Sequence, residues 1–293
     1  LEAAEPAVVV GRATTTRVDV ANPYMGLRPF DDGDVDRFFG RERLVSELVG
    51  RMSGNTIASR CLVLVGPSGS GKSSVVRAGL TPSLRAGAVP GSDDWFVTTM
   101  VPGTDPFESL EAALLRIAVN PPESLLSQIR DGDRGLLRGL RRCVGSDEDR
   151  VLLVIDQFEE VFAGAAADSA EAFLEALSVA VEDPTSPLRL VATLRADYYD
   201  RPLEHPTFAP ILKETAVDVT PLAPDELERA IVEPARRAGV EFESGLVPRI
   251  AAETVRQPSP LPMLQYMLGE LFDRRTGNRM TAADYEARGG LSG

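Results

Sequence analysis

Cys61-Leu62-Val63-Leu64-Val65-Gly66-Pro67-Ser68-Gly69-Ser70-Gly71-Lys72-Ser73-Ser74 is the stretch from which the fold can be read. A short apolar run suited to a buried strand enters a glycine-rich loop, and a helical pattern through Val75, Val76 and Leu80 follows. The loop matches G-x-x-x-x-G-K-[ST] in the strand, loop, helix context that gives the pattern its meaning. Gly66, Gly69 and Gly71 let the backbone curl until successive N–H groups face a phosphate. The helix behind them adds its positive N-terminal end. Lys72 then supplies a cation for the β- and γ-phosphates and Ser73 a hydroxyl for Mg2+. Pro67, Ser68, Ser70 and Ser74 complete the phosphate-binding stretch.

The chain has 293 residues, 43% hydrophobic and 26% charged, which suits one large α/β domain and a smaller one. A net charge of −13 argues against a broad basic face, so no direct nucleic-acid partner is expected. Cys61 and Cys143 make no disulfide framework, and no Cys/His cluster suggests zinc. No apolar run reaches transmembrane length and no leader pattern opens the chain, so the expectation is a cytoplasmic protein without membrane contact. The ends, Leu1 and Gly293, read as those of a piece cut from a longer protein.

Residues 1–21 lack periodicity and read as a linker. Residues 22–42 mix prolines, glycines, aromatics and acids, which predicts ordered but irregular structure. Asp31, Asp32, Asp34 and Asp36 there lack the spacing of a calcium loop. A helix is expected from Glu42 to Met52, a connection over 82–94, a strand over 95–101, a helix over 106–118 and two short helices over 121–142. Val151 to Ile155 is a continuous apolar run of the kind parallel sheets bury on both faces. Asp156 follows it directly, a carboxylate at a strand's C-terminal edge that can hold Mg2+ jointly with Ser73. Glu159 and Glu160 are the candidate bases. A helix over 168–182 precedes a strand over 188–194, at whose end Thr193 and Arg195 stand where a polar group would reach a γ-phosphate. The competing reading is a salt bridge or a helix cap near Asp197. Residues 217–219 make a fifth strand. From there the pattern is helical, over 225–232 with a kink or break at Pro234, over 246–255 and over 261–272. His205 reads as a surface turn residue. The fold class is α/β: a five-stranded parallel sheet with flanking helices over 22–220, then an all-helical lid over 221–293.

Six segments occur in order: Asn22-Pro-Tyr-x-Gly-Leu-x-x-Phe30, Phe38-Phe39-Gly40-Arg41-Glu42, the phosphate loop, Ile155-Asp-Gln-Phe-Glu-Glu160, Thr193-Leu-Arg-Ala-Asp-Tyr198 and Leu261-Pro-Met-Leu264. Together they resemble the STAND class of P-loop NTPases, and within it the bacterial novel STAND type often fused to WD-repeat or transcription-regulator domains. The resemblance implies an ASCE-type core. It implies that Phe39, Gly40 and Arg41 frame the adenine of ATP or ADP, and that Arg195 is the sensor arginine. By similarity to the NACHT-type Walker B segment, Glu160 is the first choice of base and Glu159 the second. Pro262 matches the lid proline that packs on the nucleotide base, although Pro260 stands where the family has glycine. The class further implies a slow, Mg2+-dependent ATPase used as a signalling switch: closed and monomeric with ADP, open and homo-oligomeric with ATP, acting on other domains of the same polypeptide. Two other readings compete. Gln157 directly after Asp156 suggests a nucleotide-binding scaffold with little turnover. An AAA-like DNA-remodelling ATPase shares the core, but the acidic net charge opposes it.

Overall fold

Five segments form five parallel strands: β1 (Cys61–Gly66), β2 (Phe96–Met100), β3 (Val151–Ile155), β4 (Leu188–Arg195) and β5 (Ala216–Asp218), in the spatial order β2-β3-β4-β1-β5. The computed structural model describes residues 20–290 apart from positions 55, 120, 147, 258, 259, 276 and 288. The linker expected over residues 1–21 therefore lies outside the described residues, except for its last two positions. Helices cover both faces of the sheet. Strand alternation sends Val63, Leu153, Leu190 and Ala192 to one core with Phe107, Phe158, Phe173 and Phe208. It sends Leu62, Leu64, Leu152 and Val191 to a second core with Leu48, Met52, Val76 and Leu80. Burial on both faces is why β1 and β3 read as unbroken apolar runs rather than alternating ones.

The expected helices form with small shifts: α1 (Glu42–Met52), the phosphate-loop helix α2 (72–85), α3 (Pro106–Leu115) and α4 (Ala167–Glu182). The connection expected over 82–94 is partly wrong, because α2 runs on through Thr81–Arg85. Its middle, Val75–Leu80, is a wide π turn, with the Thr81 N–H reaching back to the Val76 carbonyl. That extra width precedes Pro82, whose ring would collide with the carbonyl four residues back in a regular α-turn. A helix that periodicity did not announce, α5 (Phe208–Thr215), follows β4. His205 lies at its start and is buried at 9% exposure, correcting the surface-turn reading. Its Nδ1 accepts the Phe208 N–H at 3.3 Å, a capping role that pattern reading does not reveal.

After β5 come α6 (Pro224–Arg237), α7 (Leu246–Thr254) and α8 (Pro260–Arg274), which share a third core with Tyr24. α6 runs on through Pro234 to Arg237, so that proline does not divide it. Proline withholds the donor that the Ala230 carbonyl would take, and the next carbonyl, that of Ile231, accepts the buried Tyr24 hydroxyl at 2.7 Å. The helical reading of this block gains one strand pair, Glu241–Phe242 with Arg279–Met280. Two-residue strands carry no periodic signal, so only long-range pairing creates them. Among the described residues, no helix is long and apolar enough to cross a membrane.

Candidate nucleotide site

The turn after β1 depends on glycine at two points. Gly69 and Gly71 hold φ of +75° and +91°, in the left-handed region that side-chain-bearing residues avoid. The Val75 N–H then bonds the Gly71 carbonyl at 2.9 Å and starts α2. Lys72 is buried, and its Nζ donates to the Gly66 and Pro67 carbonyls at 2.8 and 2.9 Å. Burial holds its ammonium below the usual lysine range, and the negative charge of Glu159 opposes that shift. The Ser70 Oγ is buried with no hydrogen-bond partner among the described residues. Ser68, Gly69, Gly71, Lys72, Ser73 and Ser74 all line one cleft of about 350 Å3.

Asp156 lies behind this loop at 3% exposure. Its Oδ1 accepts from the Ser73 and Thr193 hydroxyls, each at 2.7 Å, and its Oδ2 pairs with Arg77 Nη2 at 2.9 Å. Parallel register produces this meeting: Gly66 stands beside Arg195 and Ile155 beside Ala192, so three strand ends converge. Arg77 was not anticipated, although it is four residues after Ser73 and so shares its helix face. No group of three or more His, Cys, Asp and Glu side chains is arranged for a metal among the described residues. Mg2+ needs no such group at a phosphate site, where one hydroxyl, one carboxylate, phosphate oxygens and water suffice. The hard oxygens of Ser73 and Asp156, already side by side, fit that demand.

The two candidate bases part company. Gln157 has φ +57°, the one side-chain-bearing residue of positive φ among those described. This turn, pinned by the Gln157 N–H on Thr193 Oγ1 (3.0 Å) and the Phe158 N–H on the Thr193 carbonyl (2.8 Å), drives Phe158 fully into the core. Glu159 is thereby left facing the cleft with Gln157, and its Oε2 accepts the Arg195 N–H at 3.2 Å. Glu160 points elsewhere and accepts the Gly103 N–H at 3.0 Å. Arg195 lines the cleft, but its guanidinium is held by Asp197 at 3.1 and 2.6 Å, which also raises its pKa.

The other cleft walls come from both ends of the chain. Phe39 and Arg41 line it, together with residues 26–30, Leu222, Leu261 and Pro262. Arg41 is buried and donates to the Thr220 and Ser70 carbonyls at 2.8 and 3.0 Å, tying the phosphate loop to the chain leaving β5. Burial lowers its pKa against the pull of Glu226. Leu261 at the start of α8 reaches the loop, where a Cβ on Gly71 would stand 3.4 Å from its Cδ1. Residues 26–30, Leu222 and Gln265 were not anticipated as cleft residues; aromatic and apolar walls have no short motif. Gly40 lies outside the cleft, with φ +87°, and a Cβ there would stand 2.4 Å from the Glu226 carbonyl of α6. Gly40→Ala is therefore expected to cost about 3 kcal/mol, from backbone strain and overpacking together. Denaturant unfolding of the variant measures it, and a cost below about 0.5 kcal/mol would contradict this packing.

Among solved structures, Cdc6p from Pyrobaculum aerophilum matches with a TM-score of 0.52 at 14% identity, over 86% of this chain and 63% of that one. The ORC2 protein of Aeropyrum pernix, solved as ADPNP and ADP complexes, matches at 0.51 and 14%, over 85% and 63%. The Walker-type ATPase of Pyrococcus abyssi matches at 0.53 and 15%, over 91% and 76%. At such identities the likeness shows a shared fold, and this chain spans 63% of the length of the Cdc6p and ORC2 chains. No curated protein matches the chain. The family model described as Novel STAND NTPase 1 matches residues 23–293. A phosphate loop, a strand-end aspartate on its serine and a match across nearly the whole chain agree, and the protein belongs to the Novel STAND NTPase 1 family of P-loop NTPases.

Proposed function

We propose that this chain is an adenine-nucleotide switch, a cytoplasmic ATPase of slow turnover whose C-terminal helices act as a lid reporting the bound nucleotide. The observation that carries the reading is the shared cleft: strand ends and phosphate loop form one wall, α8 and residues 26–30 the other. An occupant touching both walls changes the free energy of the closed arrangement, as any switch requires. The ADPNP and ADP complexes of the Aeropyrum pernix ORC2 protein support adenine nucleotides as the ligand class. In this reading Lys72 turns from the Gly66 and Pro67 carbonyls to the β- and γ-phosphates, while the loop N–H groups hold their oxygens. Ser73 and Asp156 would hold Mg2+, which when bound neutralises charge on the transferred phosphoryl group. Glu159 orients the attacking water, and Arg195 is released from Asp197 to meet the γ-phosphate. Other domains of the same polypeptide and a nucleotide-dependent homo-oligomer are the proposed partners, within a larger regulator.

The residue 22–25 segment supports the lid role. Asn22 donates to the Gly269 carbonyl at 2.8 Å and Gln265 accepts the Met25 N–H at 3.1 Å, so this strand of chain is stitched to α8. Sedimentation and small-angle scattering with ADP, with a non-hydrolysable ATP analogue and without nucleotide should give different shapes or masses. Identical profiles in all three states would sink the switch. The locked Arg195–Asp197 pair favours a second reading, a binding scaffold with little turnover. Hydrolysis by wild type well above that of Lys72→Ala excludes the scaffold.

A further inference from the structure

The Walker-type aspartate has one partner more than a phosphate site requires. Asp156 Oδ1 already serves Ser73 and Thr193, and Oδ2 is engaged by Arg77. Arg77 does not line the nucleotide cleft. It approaches from behind, through a second cavity of about 370 Å3 between α2 and the β2–β3 edge that Asp31, Asp32, Arg85 and Arg116 also line. Within that cavity Asp32 is taken by Arg85, and Arg77 is committed to Asp156. The Arg77 side chain is 29% exposed against 4% for Asp156, so the pair is largely out of water and its charge interaction is weakly screened. The wide turn of α2 spans 75–80 and so contains the position from which Arg77 reaches the carboxylate.

Resting on the nucleotide-site reading above, we infer that Arg77 is a positioning residue that holds and partly neutralises Asp156 from behind, and so sets the Mg2+ concentration at which the site takes metal. A guanidinium on Oδ2 reduces the attraction of the same carboxylate for a second cation, whether that cation meets it directly or through water. Removing Arg77 also leaves a buried carboxylate without its counter-charge, a deficit that a bound cation relieves. Both effects have one sign. The metal-free site loses stability without Arg77, and the metal-bound site loses less.

The test uses the whole chain with a fluorescent ADP analogue, titrated in chelator and across a Mg2+ series, alongside thermal unfolding with and without Mg2+. For Arg77→Met the Mg2+ midpoint of ADP binding should fall about tenfold, and the Mg2+-linked rise in melting temperature should exceed that of wild type. Arg77→Lys keeps the charge and should stay within about threefold of wild type. Arg77→Gln replaces Arg77→Met if the latter does not fold. An unchanged or raised midpoint in the neutral variants overturns the inference, because a purely structural support would lower stability without tightening Mg2+ binding. If wild type binds no ADP at any Mg2+ concentration, the nucleotide reading itself fails. If wild type binds and the midpoint stays put, only the role of Arg77 fails.

Discussion

Glutamine in place of Glu159 is expected to slow ATP hydrolysis by about 10²- to 10⁴-fold, the usual contribution of a positioned general base, while ADP binding stays close to wild type. The substitution is nearly isosteric, and the amide oxygen of Gln can still accept the Arg195 N–H that Glu159 Oε2 accepts at 3.2 Å. What it removes is the negative charge facing the cleft, the same charge that counters the downward shift at Lys72. Glu160→Gln should change turnover by less than about threefold, since that carboxylate is spent on the Gly103 N–H away from the cleft. Single-turnover hydrolysis of both variants, with ADP affinity measured alongside, separates the two acids. The reverse ranking would return the base to Glu160, the choice that the family resemblance implied.

Lys72→Ala should weaken ATP binding by about 10²-fold and remove most nucleotide-dependent thermal stabilisation. A hydrogen bond to a charged group is worth about 1.5–3 kcal/mol net, and Lys72 can offer more than one to the phosphates. In the structure those donors are taken by the Gly66 and Pro67 carbonyls at 2.8 and 2.9 Å. Binding exchanges partners rather than adding them, which is why the loss is expected nearer two powers of ten than four. The same variant leaves two loop carbonyls short of a donor, so its nucleotide-free form should lose about 1 kcal/mol of stability. Calorimetric titration with ATP, with unfolding of the free variant, measures both quantities. Affinity within about threefold of wild type would mean that Lys72 does not contact the phosphates.

The strands and most large helices were legible because each is announced by a local pattern: continuous apolar runs at β1 and β3, shorter apolar-rich segments at the other strands, turn residues between them, and 3.6-residue periodicity in α1, α3 and α4. The phosphate loop and Asp156 were legible for the same reason, since one is a contiguous motif and the other sits at the end of a buried strand. The misses share a physical cause. His205 becomes a cap only because α5 turns back over it, and the strand pair at Glu241 and Arg279 exists only through pairing across 38 positions. The π turn in α2 answers a proline ring, which motif spacing does not register.

The order of side chains along 155–160 was readable from residues alone, and with it the assignment of an acidic segment to the phosphate edge. Which acid faces the nucleotide was not readable. That choice follows from the left-handed turn at Gln157 and the burial of Phe158, which rotate Glu159 into the cleft and Glu160 toward Gly103. Spacing along a chain fixes which groups are available; the direction each takes depends on which neighbour the core claims. The same holds for Arg77, a residue of an ordinary helical pattern until β3 is laid beside α2 and its guanidinium meets Asp156.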